Sequence, residues 1–247
     1  MNPANPSPKS IAFFGASNGV CHATLLASLA AGHNCLALCR DPSKLEHLCP
    51  QYPHTLIIHH GNAHNVTDVL TCLTMPRSGR LVDAIHFSIG NKPDLKKMSE
   101  GDPRVCQTGM ATRLQALAIL RRDWAVQGSP LLCVASTTGI SDRRDIPLLF
   151  YPLYHFMLAV PHKDKKIMEG LLVESEERFV LVRPSLLWDG EDKGRAVRVG
   201  VADARTGVVQ KREVGYTISR AAVGGWMFEN LIQRVWERGC LRGRLFL

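Results

Sequence analysis

Gly15 and Gly19 stand in the run Gly15-Ala16-Ser17-Asn18-Gly19-Val20-Cys21-His22, between an apolar stretch at 10–14 and a helix-spaced segment at 20–31. Glycines at a strand-to-helix turn let the backbone approach a diphosphate closely, and the free amides and dipole of the helix N-terminus favour its charge. Gly15, Ser17, Asn18, Gly19 and Val20 are therefore candidate contacts to a dinucleotide. After the next apolar run, Arg40 stands where a fold that prefers NAD places a carboxylate on the ribose hydroxyls, with Ser43 and Lys44 just beyond it. A planar guanidinium and a second positive charge suit a 2′-phosphate, so the expected cofactor is NADP(H).

Two further turns fall at the ends of later apolar runs. Gly61-Asn62 and Ser88-Ile89-Gly90 lie where strand carboxyl ends meet the ligand crevice of such a fold. Asn62 is expected beside the adenine, with Ser88 and Gly90 along the crevice. Each could equally be an ordinary turn.

These groups need a frame. Apolar runs at 10–14, 34–39, 54–59, 83–87, 131–135 and 179–182 read as strands, and segments at 20–31, 66–75, 105–127 and 164–176 have helical length and spacing. Such alternation implies right-handed crossovers and an α/β fold: a Rossmann-type, doubly wound parallel sheet with helices on both faces. Gly32 is placed as a helix C-cap, and Asp41-Pro42-Ser43 as a turn and helix entry. The stretch 188–216 is polar and rich in Gly and Arg, and 219–234 reads as an amphipathic helix. The whole chain, 1–247, is expected to be one domain, with 1–8 a flexible tail and 188–247 a small C-terminal substrate-side region.

Composition narrows the partners. Hydrophobic residues make up 45% and charged residues 21%, ordinary globular usage that permits a sizeable core. The apolar stretches are too short or interrupted to span a bilayer, and the N-terminus lacks a secretory layout, so no membrane contact and a cytoplasmic location are expected. Eight cysteines in a chain of this length do not form a disulfide framework. Cys35 with Cys39, and His60 with His64, lack a second pair at zinc spacing, so no metal is expected. The net charge of +8 is scattered and carries no aromatic-interleaved stripe, which argues against nucleic acid.

The combination Gly15-Ala-Ser-x-Gly19-Val, Arg40-Asp-Pro-Ser-Lys44, Ser136-Thr-Thr-Gly139, Asp164-Lys165-Lys166-x-x-Glu169, Arg183-Pro184-Ser185 and Ile218-Ser219-Arg220 resembles the NmrA-like and averufin-oxidase-like atypical short-chain dehydrogenase/reductases. The resemblance spans most of the chain. The family's G-x-x-x-G-x-G spacing is met except that Cys21 replaces the third glycine. By this resemblance Ser136 is the family serine and Lys165 the family lysine, and Arg183 and Pro184 border the nicotinamide. Lys165 or Lys166 could bond the nicotinamide ribose, and Ser136, Thr137 or Thr138 could orient a substrate oxygen.

Main-branch members carry a tyrosine four residues before the lysine, on the same helix face, as proton donor. Here that position is Pro161. Tyr151 and Tyr154 in the apolar segment 147–160 could supply the phenol or simply pack, and His155 is also available. The same segment carries Phe150 and Phe156, which suits a flat hydrophobic substrate or a dimer surface, leaving monomer and homodimer open. The resemblance implies an NADP(H)-dependent oxidoreductase acting on a small hydrophobic, aromatic or polycyclic secondary metabolite. The missing tyrosine keeps two alternatives open: a non-catalytic NADP(H)-sensing regulator, and a non-redox isomerase, cyclase or dehydratase.

Overall fold

In the computed structural model, residues 7–90, 102–140, 159–190, 196–234 and 244–246 are described. Strands β1 (Ser10–Phe14), β2 (Asn34–Cys39), β3 (Leu56–His60), β4 (Ala84–Phe87), β5 (Leu131–Ala135) and β6 (Arg178–Val182) run parallel in the order β3-β2-β1-β4-β5-β6. The sheet continues through β11 (Arg244–Phe246), parallel to β6, and then β8 (Val201–Asp203) and β9 (Val209–Lys211), both antiparallel to their neighbours. A separate parallel pair joins β7 (Leu186–Trp188) to β10 (Thr217–Ser219).

Strand alternation explains why both faces need helices. On β1, Ile11 and Phe13 enter one buried cluster, and Ala12 and Phe14 enter another. The first cluster is covered by α1 (Gly19–Ala30), α2 (Ser43–Glu46) and the end of α6 (Arg220–Met227), which continues as a π-helical turn, Phe228–Gln233. The second is covered by α3 (Val66–Leu73), α4 (Val105–Arg122) and α5 (Ala159–Glu174). Each Phe or Leu so enclosed contributes about 1.5–3 kcal/mol, which is why a strand buried on both sides reads as a nearly unbroken apolar run.

Several ends differ from the sequence expectation. The α4 helix stops at Arg122 rather than 127, because the chain reverses through Ala125 at φ 52° and Val126 N–H returns to Leu120 O at 2.9 Å. The α5 helix is already formed at Ala159, five residues before the expected start, with Pro161 in its first described turn. Within the polar stretch 188–216 the chain supplies the β8–β9 hairpin. Gly32, at φ 79°, ends α1 as expected.

The strand order reverses direction between β1 and β4, so chains leaving these two strands diverge to opposite faces and open a crevice at their carboxyl ends. No described helix is long and apolar enough to cross a membrane.

Candidate active site

The crevice begins at the turn after β1. Gly15 has φ 98° and Gly19 φ 68°, a left-handed backbone that side-chained residues rarely adopt. A Cβ at Gly15 would lie 2.8 Å from Ser88 O, so the two loops at the switch point touch backbone to backbone. Asn18 occupies the N-cap of α1 in an extended conformation without a side-chain cap, which leaves the first amides of the helix to an outside acceptor. Cys21, in place of a third glycine, is fully buried, and its Sγ donates to Phe14 O at 3.6 Å. Burial raises the pKa of this thiol, keeping it a small neutral packing group.

Beneath these loops lies Arg113 of α4, fully buried. Its guanidinium stands 3.9 Å from the Phe14 ring centroid and 4.3 Å from that of Phe87, the residues just before Gly15 and Ser88. One guanidinium nitrogen donates to Gly109 O. Burial pulls its pKa down to about 9.

The second wall comes from α5. Lys165 Nζ donates to Ser136 O at 2.9 Å and to Ala135 O at 3.4 Å, tying the helix to the end of β5. Burial pulls the ammonium pKa below the usual lysine range, while Cys106, Glu169 and Asp164 act in the opposite direction. Ser136 is 2% exposed, and its Oγ has no hydrogen-bond partner among the described residues. A buried hydroxyl without a partner costs free energy, about 1–3 kcal/mol. Thr137 is half-buried, whereas Thr138 Oγ1 donates to Pro184 O at 3.3 Å.

Asn18, Gly19, Val20, Ser88, Gly90 and Lys165 line one cleft of about 170 Å³, joined there by Pro161 and Arg220. Ser136, Thr137, Arg183 and Pro184 cluster behind Lys165 at the ends of β5 and β6. Arg183 is committed to Glu169, with Nε donating to Oε1 at 3.0 Å. Pro184 O accepts from Thr138 N–H at 3.1 Å.

Arg40, Ser43, Lys44 and Asn62 are outside the cleft lining, along the same carboxyl edge of the sheet at the ends of β2 and β3. Arg40 is exposed. Ser43 Oγ donates to Asp41 Oδ1 at 2.6 Å, and Lys44 Nζ lies 3.6 Å from Asp41 Oδ2. Asn62 Oδ1 accepts from His64 N–H at 3.1 Å, an Asx turn. Tyr151, Tyr154 and His155 lie outside the described residues.

Two participants escape sequence reasoning. Asp164, read only as part of a charged motif, caps α4 from α5, accepting from the N–H groups of Cys106 and Gln107. Arg220 lies over Gly19, its Cδ 3.4 Å from where a Cβ would stand there. One signal was available: a cation in the first turn of a helix opposes the helix dipole and calls for an anionic neighbour.

No protein-family model matches the chain. It is 40% identical to a protein named reductase PytE of Aspergillus terreus, covering 92% of this chain and 93% of that one. It is 30% identical to one named oxidase PynE of Aspergillus niger, covering 92% and 94%. A short-chain dehydrogenase/reductase of Veillonella parvula, solved in complex with NADP, superposes with a TM-score of 0.67 over 96% of this chain and 94% of that one. At 13% identity that likeness shows the fold.

Proposed function

The chain belongs to the atypical short-chain dehydrogenase/reductases of the NmrA-like and averufin-oxidase-like type, and from this we propose that it is an NADP(H)-dependent oxidoreductase acting on a small hydrophobic, aromatic or polycyclic metabolite. The observation that supports the reading most is the meeting of the Gly15 turn with the Ser88 loop in a cleft that Lys165 closes from the other side. The α1 N-terminus, uncapped by the Asn18 side chain, opens on the cleft that Asn18, Gly19 and Val20 line, so the residues present fit such a cofactor. When bound, NADP(H) supplies or accepts the hydride.

In this proposal the chain's own groups divide the work. The amides of Ser17, Asn18, Gly19 and Val20 receive the diphosphate, Ser88 and Gly90 border the crevice, and Asn62 lies by the adenine. Arg40, with Ser43 and Lys44, selects the 2′-phosphate. Lys165 holds the nicotinamide ribose, the backbone at Arg183 and Pro184 borders the nicotinamide, and Ser136 with Thr137 orients the substrate oxygen. Because Pro161 replaces the family tyrosine, the proton passes through Tyr151, Tyr154, His155 or water. Residues 188–247 form the substrate side, and a cytoplasmic location belongs to the same proposal.

The test is a titration of the purified protein with NADPH and NADH, repeated with Arg40→Ala and Lys165→Ala, followed by NADPH oxidation assays on carbonyls and quinones. Arg40-dependent preference for NADPH and turnover of an aromatic carbonyl are expected. Equal affinity for NADH, or an Arg40→Ala variant that binds NADPH as well as the parent, would remove the NADP(H) assignment. Pro161 in the cleft favours a second reading, that of a sensor or a non-redox isomerase, cyclase or dehydratase. Tight NADPH binding without oxidation points to the sensor, and activity without cofactor to the non-redox enzyme.

A further inference from the structure

Arg220 opens α6 directly above the start of α1. The two helices meet closely because Gly224 carries no side chain: a Cβ there would stand 2.5 Å from Ala23 Cβ and 2.7 Å from Val20 O. Thr24 Oγ1 reaches Gly224 O at 3.1 Å, and Ser219 Oγ caps α6 by accepting from Ala222 N–H at 3.0 Å. This packing brings the guanidinium to the cleft wall formed by Asn18 and Gly19, with Arg220 only 27% exposed.

The electrostatics of this placement are unbalanced. Arg220 sits at the positive end of its own helix and beside the positive end of α1, where a cation is disfavoured. Its partner there is Asp189, whose Oδ1 lies 2.9 Å from Nη1 and which is 79% exposed. A carboxylate that open to water contributes little to holding an arginine, about 0–1 kcal/mol. The guanidinium is thus loosely held at the cleft wall, within reach of any anion seated on the Gly19 turn.

We propose that Arg220 is a diphosphate-binding residue of this cleft, paired with Asp189 until the anion takes the carboxylate's place. The inference rests on the dinucleotide reading above and adds a cation from the far C-terminal part of the chain. Asp189 then acts as a competitor that lowers affinity for the anionic ligand, and Arg220 as the group that positions it. Exchange of one carboxylate for a diphosphate keeps the arginine paired in both states, so binding strands no charge.

The experiment measures the dissociation constants of NADPH, which carries the diphosphate, and of 2′-AMP, which carries the 2′-phosphate without it, for the parent protein, Arg220→Gln, Arg220→Lys and Asp189→Asn. Thermal midpoints are recorded alongside. Arg220→Gln is expected to weaken NADPH by roughly tenfold to a hundredfold, as for loss of a charge-assisted hydrogen bond, and to leave 2′-AMP unchanged. Arg220→Lys should recover part of the loss. Asp189→Asn should tighten NADPH by about twofold to fivefold, more at low salt.

An Arg220→Gln protein that binds NADPH as the parent does overturns the inference while leaving the cofactor reading intact. Equal losses for NADPH and 2′-AMP would assign Arg220 a structural role and overturn it as well. Weaker NADPH binding by Asp189→Asn would overturn the exchange of partners. A parent protein that binds neither NADPH nor NADH overturns the cofactor reading itself, and this inference with it.

Discussion

The carboxylate of Asp164, on α5, accepts a hydrogen bond from the backbone N–H of Cys106, on α4, at 2.8 Å. Its other oxygen takes Gln107 N–H at 2.9 Å. Arg104, at the local N-cap position, supplies no side-chain cap, so α4 is capped by a residue 58 positions beyond Cys106 in the chain. Replacing Asp164 with Ala leaves these amides buried without acceptors and removes an anion from the helix N-terminus. A loss of about 1–3 kcal/mol is expected in denaturant unfolding. Asn, which keeps an acceptor oxygen, should recover part of it.

Gly15 and Gly32 both have positive φ, 98° and 79°, but differ in surroundings. Nothing lies within 4 Å of a Cβ built at Gly32, whereas at Gly15 it meets Ser88 O at 2.8 Å. Gly32→Ala should therefore cost about 1 kcal/mol and leave NADPH affinity unchanged. Gly15→Ala should cost more, on the order of 2–3 kcal/mol, and abolish binding, because the Ser88 loop must move away. Calorimetry of both variants separates the two effects.

Ser136 offers a test with opposite signs for stability and activity. Its buried Oγ has no partner among the described residues, so Ser136→Ala should leave the unfolding free energy unchanged or raise it by up to about 1 kcal/mol. If the hydroxyl orients the substrate oxygen, turnover should fall by about a hundredfold or more. A drop in stability with unchanged turnover would assign Ser136 to the scaffold.

His86, on β4, is fully buried and stacked on Phe13 at 5.7 Å, with neither ring nitrogen bonded within the described residues. Burial lowers its pKa to about 3, whereas the unfolded chain titrates near 6.5. Between these values the unfolded state binds the additional proton, so stability rises with pH and is lost as pH falls below about 6.5. From pH 7 to 5 the loss should be about 2 kcal/mol. His33 and His59 shift in the same direction. His86→Leu should remove the larger part of the acid slope in urea unfolding measured across this range.

Among the described residues Arg113 carries a charge in the core without a carboxylate partner; its guanidinium rests on Phe14 and Phe87. Burial pulls its pKa down to about 9, a cost opposed by cation–π contacts of about 1–2 kcal/mol each and by the hydrogen bond to Gly109 O. Arg113→Met, which keeps the length and removes the charge, should raise stability by about 1–3 kcal/mol near pH 7. A lower unfolding midpoint would show that the stacked guanidinium contributes more than its burial costs.

The parallel sheet from β1 to β6, the helices that cover it and the glycine turn at the switch point are legible in the chain before it folds. Each is written locally: two-faced burial makes Phe13, Phe14, Ile85 and Val134 parts of apolar runs, and the turn needs glycine at positions 15 and 19. Tertiary structure decided what depends on residues far apart in the chain. Strands as short as Leu186–Trp188 and Arg244–Phe246 are too brief for a periodicity and exist only through their pairing with Thr217–Ser219 and with β6 and β8. The same holds for Asp164 of α5 capping α4 and for Arg220 over Gly19, whose types were visible while their partners were not. A side chain's charge is a local property, but its free energy in the fold is set by the dielectric and the neighbours that packing brings to it.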